Sequence, residues 1–122
     1  MLMLSLPWPP SMNRYWMPIP GGRGMTLTRD ARQYRKLAAD AVQKVLGSCQ
    51  SDYIFHGRVR LDVELRAPDR RNRDLDNHLK AIQDAMTHCS IWKDDSQIDE
   101  LTVRRGQVFP GGKAEIIITE LT

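Results

Sequence analysis

Arg73-Asp74-Leu75-Asp76-Asn77-His78-Leu79-Lys80-Ala81-Ile82-Gln83-Asp84-Ala85-Met86 carries one apolar stripe. Leu75, Leu79, Ile82 and Met86 recur at helical spacing, which predicts a helix with one buried face. Asp74 stands just before the stripe, where an N-cap belongs. Asp76 then falls in the first turn, where the positive end of the helix dipole favours a carboxylate. Lys80 follows four residues after Asp76, so the two share a helix face. Two helical carboxylates at i and i+2 point apart. They can converge if Asp74 is still extended when Asp76 has entered the helix, so a strand-to-helix entry is the geometry that makes the pair useful.

On the N-terminal side lies the clearest strand. In Arg58–Arg66, Val59, Leu61, Val63 and Leu65 alternate with Arg60, Asp62, Glu64 and Arg66, giving one core face and one polar face. On the other side, Ile98, Leu101 and Val103 predict a strand continuing toward Val108. Pro110-Gly111-Gly112 predicts a turn, and Ala114–Thr119 a last strand. The consecutive Ile116, Ile117 and Ile118 imply burial on both faces or a partner chain covering one of them.

Toward the start of the chain, Met3–Leu6 predicts a short strand, stopped by Pro7, Pro9 and Pro10. Residues 11–25, rich in Pro and Gly, are expected to form a mobile loop. Thr28 caps a second helix, with Tyr34, Leu37, Ala38, Ala41, Val42 and Val45 on its inner face and Gly47 as its stop. The order is β-α-β-α-β-β. It predicts a single small α/β domain over residues 1–122, a mixed sheet with helices packed on it.

The chain has 122 residues, 41% of them hydrophobic, which excludes a disordered tail and a membrane-spanning class. The start, Met1-Leu2-Met3-Leu4, lacks a basic flank and runs into Pro7, unlike a signal peptide. Cys49 and Cys89 form no disulfide framework and no zinc spacing, which fits a reduced, cytoplasmic protein. A net charge of +3 permits nucleic acid without demanding it.

The distribution of charge says more. Arg66, Arg70, Arg71 and Arg73 precede the acids, offset only by Asp69, and Asp94-Asp95 follow after Trp92-Lys93. A cationic loop leading into a carboxylate pocket suits a phosphodiester: arginines hold the backbone, and carboxylates hold a hard cation at the scissile phosphate. In the 11–25 stretch, Arg14 and Tyr15 are placed to meet DNA, the ring by stacking on a base; core packing is the alternative for Tyr15 and the preferred reading for Trp8. The plainer alternative makes Asp74 an N-cap only, Asp76–Lys80 an exposed pair and Asp94-Asp95 a solvated turn. His78, one residue past Asn77, could approach a phosphate but is read as a polar helix position, and none of His56, His78 and His88 is read as a ligand.

These residues resemble the RusA family of Holliday junction resolvases, small endonucleases associated with phages and prophages. The resemblance spans nearly the whole chain: Leu6-Pro7-Trp8-Pro9-Pro10-Ser11 with Asn13, Arg14 and Tyr15; Pro68-Asp69-Arg70-Arg71; Arg73-Asp74-Leu75-Asp76-Asn77 with Lys80 and Asp84-Ala85; Trp92, Asp94-Asp95, Lys113 and Ile118-Thr119-Glu120. Met17–Met25 follows no family pattern.

The resemblance implies a homodimer that binds four-way DNA junctions and resolves them by paired symmetric nicks, with Mg²⁺ as cofactor and Mn²⁺ able to substitute. It implies Asp74, Asp76 and Asp95 as catalytic metal ligands, Lys80 as a catalytic lysine and Arg73 as a basic position tied to DNA binding or catalysis. Arg66, Arg70 and Arg71 would position the DNA backbone. A non-catalytic branched-DNA-binding module and a nuclease acting on other branched DNA are the two rival readings.

Overall fold

The computed structural model describes residues 1–47 and 52–122. Cys49, and with it any pairing with Cys89, lies outside the described residues. Four strands form the main sheet: β1 (Leu2–Pro7), β4 (Val59–Arg66), β5 (Ile98–Arg105) and β6 (Lys113–Glu120). Their spatial order is β1-β6-β4-β5. β6 runs antiparallel to β1 and to β4, whereas β4 and β5 are parallel. The sheet is therefore mixed, as the element order predicts.

One face of the sheet makes the core. Leu4, Ile116 and Val63 stand in register across three strands, and Leu2, Ile118 and Leu61 repeat the row. Each fully buried aliphatic side chain contributes about 1.5–3 kcal/mol relative to exposure. Against these rows pack Ala31, Tyr34, Ala38 and Val42 of helix α1 (Arg29–Leu46) and Ala81, Ile82, Ala85 and Met86 of helix α2 (Leu79–His88).

The isoleucine run is thus divided by the pleat. Ile116 and Ile118 are buried in the chain's own core, and only Ile117 points to the other face, half-buried. Neither buried isoleucine is free to cover a partner. On that other face Arg60 pairs with Glu100, and Glu64 with Arg104. Asp62, on the same face, is likewise paired with Arg60.

Four further differences from the sequence reading have local causes. Residues 11–27 carry secondary structure of their own, a 3-10 turn (Met12–Arg14) and a hairpin of β2 (Trp16–Pro18) and β3 (Met25–Leu27). The inner face of α1 is narrower than expected, so Leu37 and Val45 lie on its exposed flank. β5 stops at Arg105; the chain then turns back, with Gly106 N–H donating to Leu65 C=O and Phe109 N–H to Ala67 C=O.

The central stretch is also not one helix. It begins as a 3-10 turn (Leu75–His78), and α2 starts at Leu79. His78 interrupts the helix at φ −110°, ψ 0°, because its ring is buried against Trp8 and its Nδ1 bonds Pro9 C=O at 2.9 Å. Burial, above all, lowers its pKa from the ordinary histidine value. His78 is therefore an anchor, not a surface position.

The ends of α1 follow the sequence. Thr28 Oγ1 accepts from Ala31 N–H at 3.1 Å, and Gly47 ends the helix at φ +79°, a conformation that favours glycine.

Candidate active site

β4 and β5 are parallel, and their carboxyl ends open at one edge of the sheet. Crevices outside the carboxyl ends of parallel strands are where α/β proteins place ligands. Here the chain leaves β4 through residues 67–73 and turns at Asp74 into the 3-10 segment that leads to α2. Arg105, the last residue of β5, donates from Nη2 to Arg73 C=O at 2.8 Å and ties this segment to the sheet.

Two clefts flank the segment, and Asp74, Asn72, Arg71 and Arg73 line both. The first, of about 500 Å³, is closed on its far side by Ser11, Arg14 and Asp30. The second, of about 480 Å³, is closed by Asp69, Arg70, Arg105 and Val108. Asp74 thus stands on a ridge with basic residues on both sides.

The backbone at the ridge has the form that the two acids require. Asp74 is extended at φ −80°, ψ 134°, and Asp76 lies in the first turn of the 3-10 segment. Asp74 occupies the N-cap position, but its side chain makes no capping hydrogen bond. Its carboxylate is not spent on the helix, so the N-cap-only alternative is not what the structure shows. Asp76 is exposed, and the lysine four residues on pairs elsewhere: Lys80 Nζ lies 3.1 Å from Asp84 Oδ1.

Asp95 opens a 3-10 turn (Asp95–Gln97) beyond α2 and is half-buried. The turn is pinned twice. Asp94 caps it through Ser96 N–H in a capping box with Gln97, and Gln97 Nε2 donates to Phe55 C=O and Gly57 C=O. Those hydrogen bonds from Ser96 hold the Asp94 carboxyl below its usual range, and the charge of Lys80 adds a smaller lowering. Lys80 thus lies within electrostatic reach of the Asp94-Asp95 turn. Among the described residues, no three His, Cys, Asp or Glu side chains are drawn together closely enough to hold a metal ion. Asp74 and Asp76 lie at the start of one 3-10 turn and Asp95 opens another beyond α2, so the structure does not gather the three expected ligands into one cluster.

The arginines divide by role. Arg71 and Arg70 are exposed and face the clefts. Arg73 is mostly covered: its Nη1 donates to Asp69 Oδ1 at 2.7 Å, and its guanidinium stands 5.7 Å from the Trp8 ring centre. Arg73, and then the N–H of Arg71, hold the Asp69 carboxyl down at about 2. Arg66 lines neither cleft; its Nε donates to Gln107 C=O and its guanidinium covers Phe109, so it braces the β5–β6 loop. Arg14 reaches the first cleft as expected.

Tyr15 does not contact DNA as a stacking ring. It is 1% exposed, and its hydroxyl donates to Asp84 Oδ2 at 2.7 Å. Burial, and then the Asp84 carboxylate, push its pKa up to about 12, so it stays a donor. A side chain so deeply packed cannot reach a base.

Asp30, Arg105 and Asp84 were not legible as site residues. Asp30 reads as an acid in the first turn after a Thr cap, Arg105 as the middle of a longer strand, and Asp84 as a polar helix position. Only the packing of α1 and β5 around the ridge brings the first two to it.

Fold and site define a small α/β protein with a carboxylate ridge between basic clefts. The family model described as Endodeoxyribonuclease RusA matches residues 7–119. A crossover junction endodeoxyribonuclease RusA of Enterobacteria phage HK97 is 39% identical over 116 residues, covering 95% of this chain and 92% of the relative. Relatives of the same name from Shigella sonnei and Escherichia coli K12 are each 38% identical over 119 residues, covering 97% of this chain and 93% of theirs. The chain belongs to the RusA family of endodeoxyribonucleases.

Proposed function

We propose that this protein is a divalent-metal-dependent nuclease that resolves four-way DNA junctions by paired nicks, acting as a homodimer. The observation that carries the reading is the uncapped Asp74 carboxylate on a ridge between two arginine-lined clefts, in a chain of this family. A phosphodiester resists hydrolysis because a poor nucleophile must approach an anion. Arg71, Arg70, Arg14 and Arg105 supply cations on either side of the ridge, suited to holding the strand by its phosphates.

The donor set fits a hard cation: carboxylate oxygens alone, two on one turn, with neither side chain engaged in capping. Asp74 and Asp76 would hold the ion, joined by Asp95 once that carboxylate is drawn to them, with Mg²⁺ the expected species and Mn²⁺ a substitute. When bound, it would make hydroxide available near neutral pH and offset charge on the leaving oxygen. Lys80 adds a cation near the Asp94-Asp95 turn, where it can neutralise phosphate charge or orient the attacking water. Two-fold symmetry has a purpose, since a junction offers two equivalent strands and a dimer two equivalent sites.

The test is a labelled mobile four-way junction incubated with the protein and Mg²⁺ or Mn²⁺, beside Asp76→Asn, a flap substrate and a linear duplex. Paired symmetric nicks in the junction alone, lost in the variant while binding survives, are expected. Tight binding without cutting in either metal would leave a junction-binding module; equal cutting of flaps would leave a broader branched-DNA nuclease.

A further inference from the structure

Lys80 is not a free surface lysine. Its Nζ lies 3.1 Å from Asp84 Oδ1, one helical turn further along α2. The other oxygen of that carboxylate, Oδ2, accepts from the Tyr15 hydroxyl at 2.7 Å. The Asp84 side chain is 16% exposed and that of Lys80 35%. Tyr15 comes from sixty-nine residues away, at the end of the 3-10 turn that carries Arg14 into the first cleft.

Helix electrostatics alone do not account for this pair. The favourable i,i+4 order places the acid N-terminal to the base, and here the order is reversed. An exposed pair of this kind is loose and screened by salt. Here a carboxylate is shielded and clamped by a buried tyrosine, whose ring is 1% exposed. The Arg35 cation of α1 also acts on Tyr15, and its Nε is buried with no hydrogen-bond partner among the described residues. The contacts 15–84–80 thus run from a buried tyrosine outward to a partly exposed lysine near the start of α2.

We infer that Asp84 is a positioning residue for Lys80: held by Tyr15, it fixes the ammonium group over the first turn of α2. This rests on the reading of Lys80 given under the proposed function. A lysine stem has four rotatable carbons, and its ammonium ion is useful at a phosphate only if held where charge develops. Asp84 takes one of its three donors and leaves two for substrate or water. Asp84 itself touches no reacting atom.

The test compares wild type with Asp84→Asn, Asp84→Glu, Tyr15→Phe and Lys80→Ala. For each, single-turnover cleavage of a labelled four-way junction, junction Kd without divalent metal, and melting temperature are measured. Trace acetylation read by mass spectrometry gives the reactivity of Lys80 relative to Lys36 and Lys113. Asp84→Asn should lower the cleavage rate at least ten-fold, with Kd within two-fold and Lys80 selectively more reactive. Asp84→Glu should recover part of the rate. Tyr15→Phe should show the same pattern more weakly, and it decides the matter if Asp84→Asn does not fold. A rate within two-fold of wild type, or a loss of rate with unchanged Lys80 reactivity, overturns the inference. If wild type cuts no junction, the functional reading itself falls and takes the inference with it. If wild type cuts, Lys80→Ala does not, and Asp84→Asn cuts normally, the inference alone falls.

Discussion

Arg105 Nη2 donates to Arg73 C=O at 2.8 Å, joining the end of β5 to the segment that presents Asp74. The same guanidinium lines the second cleft. Arg105→Ala should therefore weaken junction binding and slow cleavage of bound junction. Arg105→Lys keeps a cation but lacks the planar fork. It should restore much of the affinity and little of the rate, as read by Kd and single-turnover kinetics measured separately.

The arginines should separate by salt dependence. Each lost phosphate contact flattens the slope of log K against log salt by about 0.9. Arg14→Ala, Arg70→Ala and Arg71→Ala, which open onto the clefts, should each show this. Arg66→Ala should leave the slope unchanged, because Arg66 is spent on Gln107 C=O and Phe109. Filter binding from low to moderate salt checks it.

Gly112 has φ +75°, and a Cβ there would lie 2.8 Å from Trp8 Cβ and 3.0 Å from Pro68 Cδ. Gly112→Ala should destabilise the fold by more than about 1 kcal/mol, measured by urea unfolding. Because Trp8 carries the His78 ring and the Arg73 guanidinium, the variant should also lose activity beyond the stability loss.

His78 gives stability a pH dependence of known sign. Its folded pKa lies below its unfolded value, mainly through burial, with Arg73 adding to the lowering and the Pro9 bond opposing it. The unfolded chain then binds the extra proton first, so this contribution is full above about 6.5, the unfolded pKa, and is lost as pH falls through the lower folded pKa. The melting temperature of wild type should fall more steeply below pH 6.5 than that of His78→Gln, measured by thermal scans at fixed ionic strength.

The isoleucine run offers a direct check of the pleat. Ile116→Ala and Ile118→Ala should each cost about 2–5 kcal/mol, as for large-to-small changes in a packed core. Ile117→Ala should cost clearly less in the same urea series, since its side chain lies on the open face of the sheet.

What the sequence determined by itself is periodic or local. Alternation along Val59–Arg66 needs no partner to be read, and neither does the helical stripe through Ile82 and Met86 or the Thr28 cap; each depends on chain geometry and neighbouring residues. The extended Asp74 followed by a helical Asp76 belongs to this class too, because cap and first turn are adjacent. What only the tertiary structure decided is long-range. The burial of Tyr15 against Asp84, the inward turn of His78 toward Pro9, the diversion of Arg66 to Phe109 and the arrival of Asp30 and Arg105 beside the ridge each join residues far apart in the chain. A polar side chain reads alike in sequence whether it meets water, a carbonyl or a carboxylate. Its partner is fixed only when strands and helices pack, since burial leaves each polar group to find a hydrogen bond inside the protein.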